Sequence, residues 1–426
     1  MAKAPFTYIP LTKEKDLDFL LEEIGDARIV MLGEGSHGTS EYYTWRTAIT
    51  RRLVVEKGFG FVTVEGDWPE CYALNRFIKG YEKSGSKIAD VLQVYRRWPT
   101  WMWANWEVAA LVEWMKDVNH IRNLQEKVGF YGLDVYSLWE SLEQVVQFLN
   151  QQDGQAAEAA RQALQCFEPY NRDPQHYAQA TAFVPTDCEH EVVEMLQRIT
   201  RNTNFPGDQE HGFNAEQNAL VAVNAERYYR GMIKGGPSSW NIRDTHMMET
   251  LDRLLELHGP ESKAIIWAHN THIGDARATD MANDGMVNIG QLAREKYGNE
   301  QVKLVGFGTY QGSVIASKSW GAPMQKMDVP PARPGSWEAM LHEISDEDKI
   351  ILSKDLSQVP ELRKPLGHRA IGVVYDPKFE QYGNYVPSQI QDRYDAFVYL
   401  DESQAVHPLH LKHKSAKEPE LYPWNY

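Results

Sequence analysis

Three groups of ionisable residues each follow a short apolar run of this 426-residue chain. They are Glu34 and His37, then Glu65 and Asp67, and finally His269 and His272. If the apolar runs are parallel strands, their carboxyl ends meet at one edge of a sheet, where α/β proteins form binding crevices. A single strand-end histidine or carboxylate is more often a structural hydrogen-bonding group. Three such strand ends together favour an acid–base site.

Three chemistries fit this set of residues. In the first, one histidine acts as a general base toward water, a carboxylate orients its ring, and an opposing histidine serves as acid or oxyanion donor. In the second, the three histidines hold a metal ion together with Glu65, although H-x-x-H after a strand is an unspecific spacing. In the third, Ser36 is a nucleophile, because residues 34–38 (EGSHG) differ from G-x-S-x-G only at the first position.

Two arginines are candidates for the same site. Arg243 precedes a predicted helix that leads to the strand before His269. In the site, Arg243 would hold a carboxylate or an oxyanion. The alternative is a salt bridge that caps the helix. Arg46 lies nine residues after His37, on a predicted helix that begins near Ser40. A structural or solvated role fits Arg46 as well as a role in the site.

An aromatic run over residues 98–106 supplies candidates for the wall of a substrate pocket. We expect Trp101, Met102 and Trp103, together with Asp67, to contact a small-molecule substrate. Packing in the core is the commoner fate of large aromatic and methionine side chains, so core positions are the alternative for the first three.

The composition excludes some classes of partner. A net charge of −15 disfavours binding to nucleic acid or to an anionic membrane surface. We find no signal peptide and no apolar run long enough to span a bilayer. Cys71, Cys166 and Cys188 suggest neither a disulfide framework nor a C-x-x-C metal site, which favours a reducing compartment, the cytoplasm. The sequence leaves the oligomeric state open.

Short apolar segments rich in Val, Ile and aromatic residues predict seven strands. They are Arg28–Leu32, Gly60–Val64, Gly129–Leu133, Ala264–Ala268, Val302–Phe307, Ile371–Tyr375 and Ala396–Leu400. Helical patterns separate most of them, which indicates an α/β fold with a mostly parallel central sheet and helices on both faces. The polar tail from Lys412 to Tyr426 is expected on the surface.

The segment between the third and fourth predicted strands is almost wholly helical in pattern and too long for one crossover. We therefore predict a large helical insertion, residues 136–240, that caps the active-site cleft as a lid. Residues 1–135 and 241–426 then form the α/β catalytic core.

Eight segments, in order along almost the whole chain, resemble the erythromycin esterase family. They are residues 33–43 (GEGSHGTSEYY), 64–68 (VEGDW), 99–107 (PTWMWANWE), 131–138 (YGLDVYSL), 241–244 (NIRD), 267–275 (WAHNTHIGD), 383–387 (GNYVP) and 393–401 (RYDAFVYLD). The resemblance implies an α/β core with a helical part over a deep cleft. It also implies hydrolysis of an ester or a macrolide lactone, the reaction by which the best-known members confer antibiotic resistance.

The resemblance also assigns roles to single residues. His37 matches the general base that activates water, and Glu34 and Glu65 match its acidic partners, without deciding which of them contacts His37. The remaining cleft residues are Arg46, Arg243, His269 and His272. The family reaction needs no covalent serine intermediate, metal or cofactor. We therefore expect a small-molecule ester as the substrate, with a metal-dependent hydrolase and a non-catalytic binder as the rival hypotheses.

Overall fold

The computed structural model of the protein describes residues 5–81, 84–85, 87–150, 154–183, 187–201, 209–233 and 236–410. The tail from Lys412 to Tyr426, expected on the surface, lies outside these residues. The strands are β1 (Ile9–Pro10), β2 (Ile29–Leu32), β3 (Phe61–Asp67), β4 (Gly129–Asp134), β5 (Ala264–Trp267), β6 (Val302–Ala316), β7 (Gln325–Val329), β8 (Lys349–Leu352), β9 (Leu366–Arg369), β10 (Tyr385–Ser388) and β11 (Ala396–Ser403).

The central sheet has the strand order β1-β8-β11-β6-β2-β5-β3-β4, and β7 pairs with β6 beyond this path. The six strands from β11 to β4 pair in parallel. At the other edge, β8 pairs antiparallel with β11, and β1 pairs antiparallel with β8. Strands β9 and β10 form a separate antiparallel pair. The prediction of a mostly parallel sheet is confirmed.

Seventeen α-helices surround the sheet in the described part of the chain. They are α1 (Asp18–Ile24), α2 (Ser40–Glu56), α3 (Trp68–Lys79), α4 (Ile88–Val91), α5 (Trp106–His120), α6 (Leu138–Leu149), α7 (Gly154–Phe167), α8 (Pro174–Phe183), α9 (Glu189–Arg201), α10 (Gln209–Met232), α11 (Ser238–His258), α12 (Asn270–Ile273), α13 (Ile289–Tyr297), α14 (Trp337–Ile344), α15 (Ser353–Leu356), α16 (Glu380–Gly383) and α17 (Ile390–Arg393). Within the described ranges, no helix is both long and apolar enough to cross a membrane.

Strand β2 shows why helices lie on both faces of the sheet. All four of its side chains are buried, as expected for a central parallel strand. Val30 and Leu32 pack with residues of α1, α2, α3 and α5. Ile29 and Met31 point to the opposite face and pack with residues of α11, α13 and α14. The alternation along one strand therefore builds two separate apolar layers.

Helices α6 to α10 occupy the part of the chain that was predicted to be helical. Their buried side chains, among them Leu142, Ala160, Val192 and Ala222, form a core of their own. Helix α11 continues across the predicted boundary at residue 240, because it begins at Ser238. The division into a catalytic core and a lid stays a prediction.

The cysteine prediction is wrong for two of the three residues. Cys166 near the end of α7 and Cys188 just before α9 form a disulfide bond, while Cys71 is buried and free. The two cysteines are 22 positions apart in sequence, and only the packing of α7 against α9 brings them together. Because disulfides persist mainly in oxidising compartments, this bond weighs against the expected reducing compartment.

The prediction of a strand at Ile371–Tyr375 is also wrong. This segment makes only isolated bridges, from Ile371 to Ser36 and from Val374 to Ser317. Its backbone hydrogen bonds go to the turn after β2 and to the residue after β6, so it crosses strand ends instead of entering the sheet. The four-residue strand β8, which was not predicted, takes the place beside β11.

Candidate active site

The carboxyl ends of β2, β5 and β3 lie side by side, as predicted. Leu32 pairs with Trp267, and Trp267 pairs with Val64, so the three strands end level with one another. Gly33 is needed at the end of β2 because a Cβ atom there would collide with the side chain of Asn270. The short helix α12 can therefore approach the turn that carries Glu34 and His37.

Glu34 is the direct partner of His37. The Nδ1–H group of His37 donates to Oε1 of Glu34 at 2.9 Å, and the other oxygen of Glu34 accepts from Nη2 of Arg46 at 2.6 Å. Arg46 is fully buried on α2, with its guanidinium 4.6 Å from the ring centroids of Tyr43 and Trp267. Arg46 thus neutralises Glu34, and Glu34 orients the imidazole of His37.

The second nitrogen of His37 faces the other carboxylate. Nε2 of His37 lies 3.9 Å from Oε1 of Glu65. Burial by itself lowers the pKa of His37, but the charge of Glu65 and the hydrogen bond and charge of Glu34 outweigh it and raise the pKa above its usual value. His37 therefore has an oriented ring with Nε2 left to accept a proton, at a pKa suited to base catalysis.

Glu65 is held as a buried anion by three neighbours. Its Oε1 accepts from Nη2 of Arg243 at 2.7 Å and lies 3.5 Å from Nε2 of His272. Its Oε2 accepts from the backbone N–H of His269 at 2.8 Å. Burial raises the pKa of Glu65, but the charges of His37 and Arg243 and this backbone donor help to bring it well below its usual value.

Arg243 lies within α11 and not before a helix as the sequence suggested. It donates to both carboxylate oxygens of Asp134, at 2.9 and 2.6 Å. Its Nη1 donates to Nε2 of His272 at 2.9 Å, and Nδ1–H of His272 donates to Asp244 at 2.9 Å. The guanidinium is thus fixed on three sides, with its Nη2 also bonded to Glu65.

His269 has one nitrogen without a partner. Its Nδ1 accepts from the backbone N–H of Thr271 at 3.3 Å and lies 2.8 Å from the Thr271 hydroxyl, which places the proton on Nε2. Nε2 is buried and has no hydrogen-bond partner within the described residues. The rings of His269 and His37 are 4.9 Å apart, and burial together with the charge of His37 holds the pKa of His269 well below its usual value.

A cavity of about 130 Å³ opens beside this cluster, and we call it the inner cavity. Its lining residues are His37, Glu65, Gly66, Asp67, Glu70, Tyr95, Arg97, Trp98, Pro99, Met102, Trp103, Asp134, Tyr136, Arg243, Trp320 and Val373. Of the predicted pocket residues, Asp67, Met102 and Trp103 line it. Trp101 does not, because its ring is fully buried in the core beside Trp98.

A larger cavity of about 660 Å³, the outer cavity, adjoins the inner one. The two share Arg97, Trp98, Tyr136 and Trp320 as lining residues. Helices α6, α8 and α10 supply much of the remaining wall. Residues of the predicted helical insertion thus border the outer cavity.

Several residues of the site were not predicted. Asp134 ends β4, the strand next to β3, so the rule that identified the other strand ends would also have selected it. Asp244 and Arg97 lie on or beside helices, away from the strand ends, whereas Glu70 comes just after β3 and was overlooked. Only the folded chain shows that they face the same cluster.

Two of the alternative chemistries fit this geometry poorly. The Ser36 hydroxyl pairs with that of Thr39, and the adjacent His37 directs its Nδ1 to Glu34 and not to Ser36. Glu34, His37 and Glu65 each place one possible ligand atom within 4.8 Å of the others, as a metal site would. However, Arg46 and Arg243 are bonded directly to the two carboxylates, and a bound cation would lie beside both guanidinium charges.

The model of the erythromycin esterase family matches residues 54–403. The chain is 24% identical over 323 residues to erythromycin esterase type II of Escherichia coli, covering 71% of this chain and 73% of that protein. It is 21% identical to the putative hydrolase YbfO of Bacillus subtilis strain 168, covering 91% and 86% of the two chains.

Solved structures share the fold. A succinoglycan biosynthesis protein matches with a TM-score of 0.76 and 20% identity, over 94% of this chain and 95% of the other. An erythromycin esterase mutant, EreC in its open conformation, matches with a TM-score of 0.69 and 16% identity, over 95% and 100% of the two chains. At these identities the likeness concerns the architecture alone.

Proposed function

This chain belongs to the erythromycin esterase family, and we propose that it hydrolyses a carboxylic ester or a lactone with His37 as the general base. The observation that carries the proposal is the pairing of His37. Its Nδ1–H is bonded to a carboxylate that Arg46 neutralises, and its ring lines the inner cavity. A buried imidazole with one oriented nitrogen and one available nitrogen is the arrangement that base catalysis requires.

In the proposed reaction, Nε2 of His37 takes a proton from a water molecule in the inner cavity. The resulting hydroxide equivalent attacks the carbonyl carbon of the ester, and charge develops on the carbonyl oxygen. The raised pKa of His37 favours its acceptance of the proton. Glu65, as a buried anion 3.9 Å from Nε2, stabilises the imidazolium that forms.

The oxyanion needs donors that are fixed before the reaction. Nε2–H of His269 has no hydrogen-bond partner within the described residues, and the neutral ring lies beside His37. Arg243 supplies a positive charge that Asp134 and His272 hold in place. We assign His269 and Arg243 to the oxyanion, and His272 to the positioning of Arg243, because both nitrogens of His272 are occupied.

Erythromycin is the first substrate to test, because the curated relative from Escherichia coli is named an erythromycin esterase. We expect the protein to add one water to the macrolide lactone, as seen by mass spectrometry, and to do so in the presence of a chelator. His37→Ala should lower kcat by about 10²–10⁴-fold, the usual contribution of a general base.

Three outcomes would overturn parts of this proposal. A folded His37→Ala variant with full activity would exclude His37 as the base. Loss of activity with chelator, restored by metal, would favour the metal-dependent hydrolase. Stabilisation by erythromycin with no product would favour a binding protein. If erythromycin is untouched, a panel of esters and lactones tests the same mechanism on other substrates.

A further inference from the structure

A departing alkoxide needs a proton. The imidazolium of His37 is stabilised by Glu65, which weakens it as an acid, and the other residues around Glu65 do not offer a good donor. Both nitrogens of His272 are engaged, by Asp244 and by Arg243. Burial and the charge of His37 keep the pKa of His269 low, so its ring stays neutral, and a neutral imidazole is too weak an acid. Arg243 keeps its protons in a protein.

Glu70 is a candidate for the missing proton donor. It lies in the first turn of α3 and lines the inner cavity together with His37 and Arg243. Its Oε2 atom is buried, and the described part of the chain gives it no hydrogen-bond partner. In a cavity of about 130 Å³, a group bound beside His37 is also close to the opposite wall.

No positively charged side chain in the described part of the chain forms an ion pair with Glu70. Arg97 donates through both Nε and Nη2 to one oxygen of Asp67, so this arginine is committed to Asp67. Burial raises the pKa of Glu70, the charge of Asp67 adds to the effect, and the pKa reaches about 8. A hydrogen bond from the backbone of Glu70 opposes these effects, Glu140 on α6 raises the pKa further, and Arg97 lowers it only weakly.

The other groups that face Glu70 do not supply a positive charge. Cys71 on the same helix and Tyr95 bond to each other, and burial raises the pKa of both, so they stay neutral. Across the cavity, Arg243 is already paired with Asp134 and Glu65. A carboxylic acid at position 70 thus keeps its proton, because a carboxylate there would have no cation paired with it.

We propose that Glu70 is the general acid that protonates the departing alkoxide, an inference that rests on the proposed ester hydrolysis. The C–O bond of the tetrahedral intermediate breaks, its electron pair goes to the alkoxide oxygen, and that oxygen takes the proton of Glu70. The proton that His37 took from water then returns to Glu70 through solvent. The sum is ester plus water giving carboxylic acid plus alcohol.

Ethyl butyrate and 4-nitrophenyl butyrate together test this role. Ethoxide is a strong base and needs a proton as it leaves, whereas 4-nitrophenolate is stable enough to leave without one. We expect Glu70→Gln to lower kcat for ethyl butyrate by about 10²–10⁴-fold, and to lower kcat for 4-nitrophenyl butyrate by much less. His37→Ala should lose activity on both esters. The exposed Glu300→Gln serves as the matched control and should change neither.

The pH profile gives a second readout that a merely structural role would not produce. For ethyl butyrate, kcat should fall as pH rises through about 8, because Glu70 loses its proton there. This alkaline limb should be absent from the profile for 4-nitrophenyl butyrate. Equal losses on both esters in Glu70→Gln, or the same alkaline limb for both, would overturn the proposal.

A measurement without turnover separates this inference from the proposed function. The carboxyl carbon resonance that Glu70→Gln removes from the ¹³C NMR spectrum should titrate near pH 8 in the wild-type protein. Titration below pH 6 overturns the role of Glu70, whether or not esters are cleaved. An inactive wild-type protein whose Glu70 titrates near 8 would instead overturn the proposed hydrolysis, and with it the acid role.

Discussion

At the scale of single residues, the site depends on a chain of fixed side chains behind His37. Arg46 holds Glu34, and Glu34 holds Nδ1 of His37. A second chain, in which Asp244 holds His272 and His272 holds Arg243, fixes the guanidinium. Most of these residues do not line the inner cavity, so they act by positioning the few side chains that do.

Glu34→Gln tests the first chain. The carboxylate at position 34 raises the pKa of His37 both by its charge and by its hydrogen bond. Its removal should lower that pKa, and the acid limb of kcat/KM, where His37 loses its proton, should move to lower pH. We expect kcat to fall as well, because a neutral amide stabilises the imidazolium less. Ester hydrolysis measured from pH 4 to 9 checks both changes.

Glu338→Gln is the matched control for that experiment. Glu338 is also fully buried and bonded to a histidine, with its Oε1 2.5 Å from Nδ1 of His368, but it does not line the inner cavity. Its replacement should cost stability without moving the acid limb. An unchanged acid limb in Glu34→Gln would show that Glu34 does not tune His37.

The sequence was sufficient to identify the residues that follow strands. Glu34, His37, Glu65, His269 and His272 meet because parallel strands end at one edge, which is a general property of the fold. It could not identify Asp244, whose position depends on how α11 packs, and it overlooked Glu70, which comes just after β3. It also placed Trp101 in the pocket, because spacing in an aromatic run does not show which ring faces the core.

At the scale of elements, the Cys166–Cys188 disulfide joins α7 to the start of α9. A closed loop of this size removes chain entropy from the unfolded state, and such bonds contribute about 3 kcal/mol. Reduction should therefore lower the midpoint of denaturant unfolding. Ester hydrolysis should survive, because neither cysteine lies among the residues of the inner cavity.

Thiol counts and variants check this prediction. The native, unreduced protein should show one thiol after denaturation, Cys71, and three after reduction. A Cys166→Ser/Cys188→Ser variant should unfold at the same midpoint with and without reductant. Three thiols in the protein as isolated from an oxidising medium would contradict the bond.

Helices and strands could be predicted from the sequence where their segments are long or strongly apolar. Helices α6 to α10 occupy the segment that was predicted to be a helical insertion, and six of the seven predicted strands exist. The error at Ile371–Tyr375 arose because an apolar segment that crosses strand ends has the same composition as a strand. The order of the strands depends on pairing between distant segments, which composition does not reveal.

At the scale of the whole molecule, the site consists of two adjoining cavities of different volume. In the proposed reaction the inner cavity of about 130 Å³ would hold the ester group, and the outer cavity of about 660 Å³ has room for a much larger remainder of the substrate. Trp98 and Trp320 stand where the two cavities meet, with ring centroids 4.6 Å apart. The shape therefore favours esters in which a bulky apolar group extends from the bond that is cleaved.

Trp320→Ala tests this division. The side chain is 60% exposed, so its removal should cost little stability. For 4-nitrophenyl decanoate, whose chain reaches beyond the inner cavity, we expect KM to rise about tenfold, as the loss of one aromatic contact predicts. For 4-nitrophenyl acetate, whose acyl chain is a single methyl group, the change in KM should be much smaller. Steady-state kinetics on the two esters decides the matter, because an equal rise in KM for both would show that Trp320 does not separate large from small substrates.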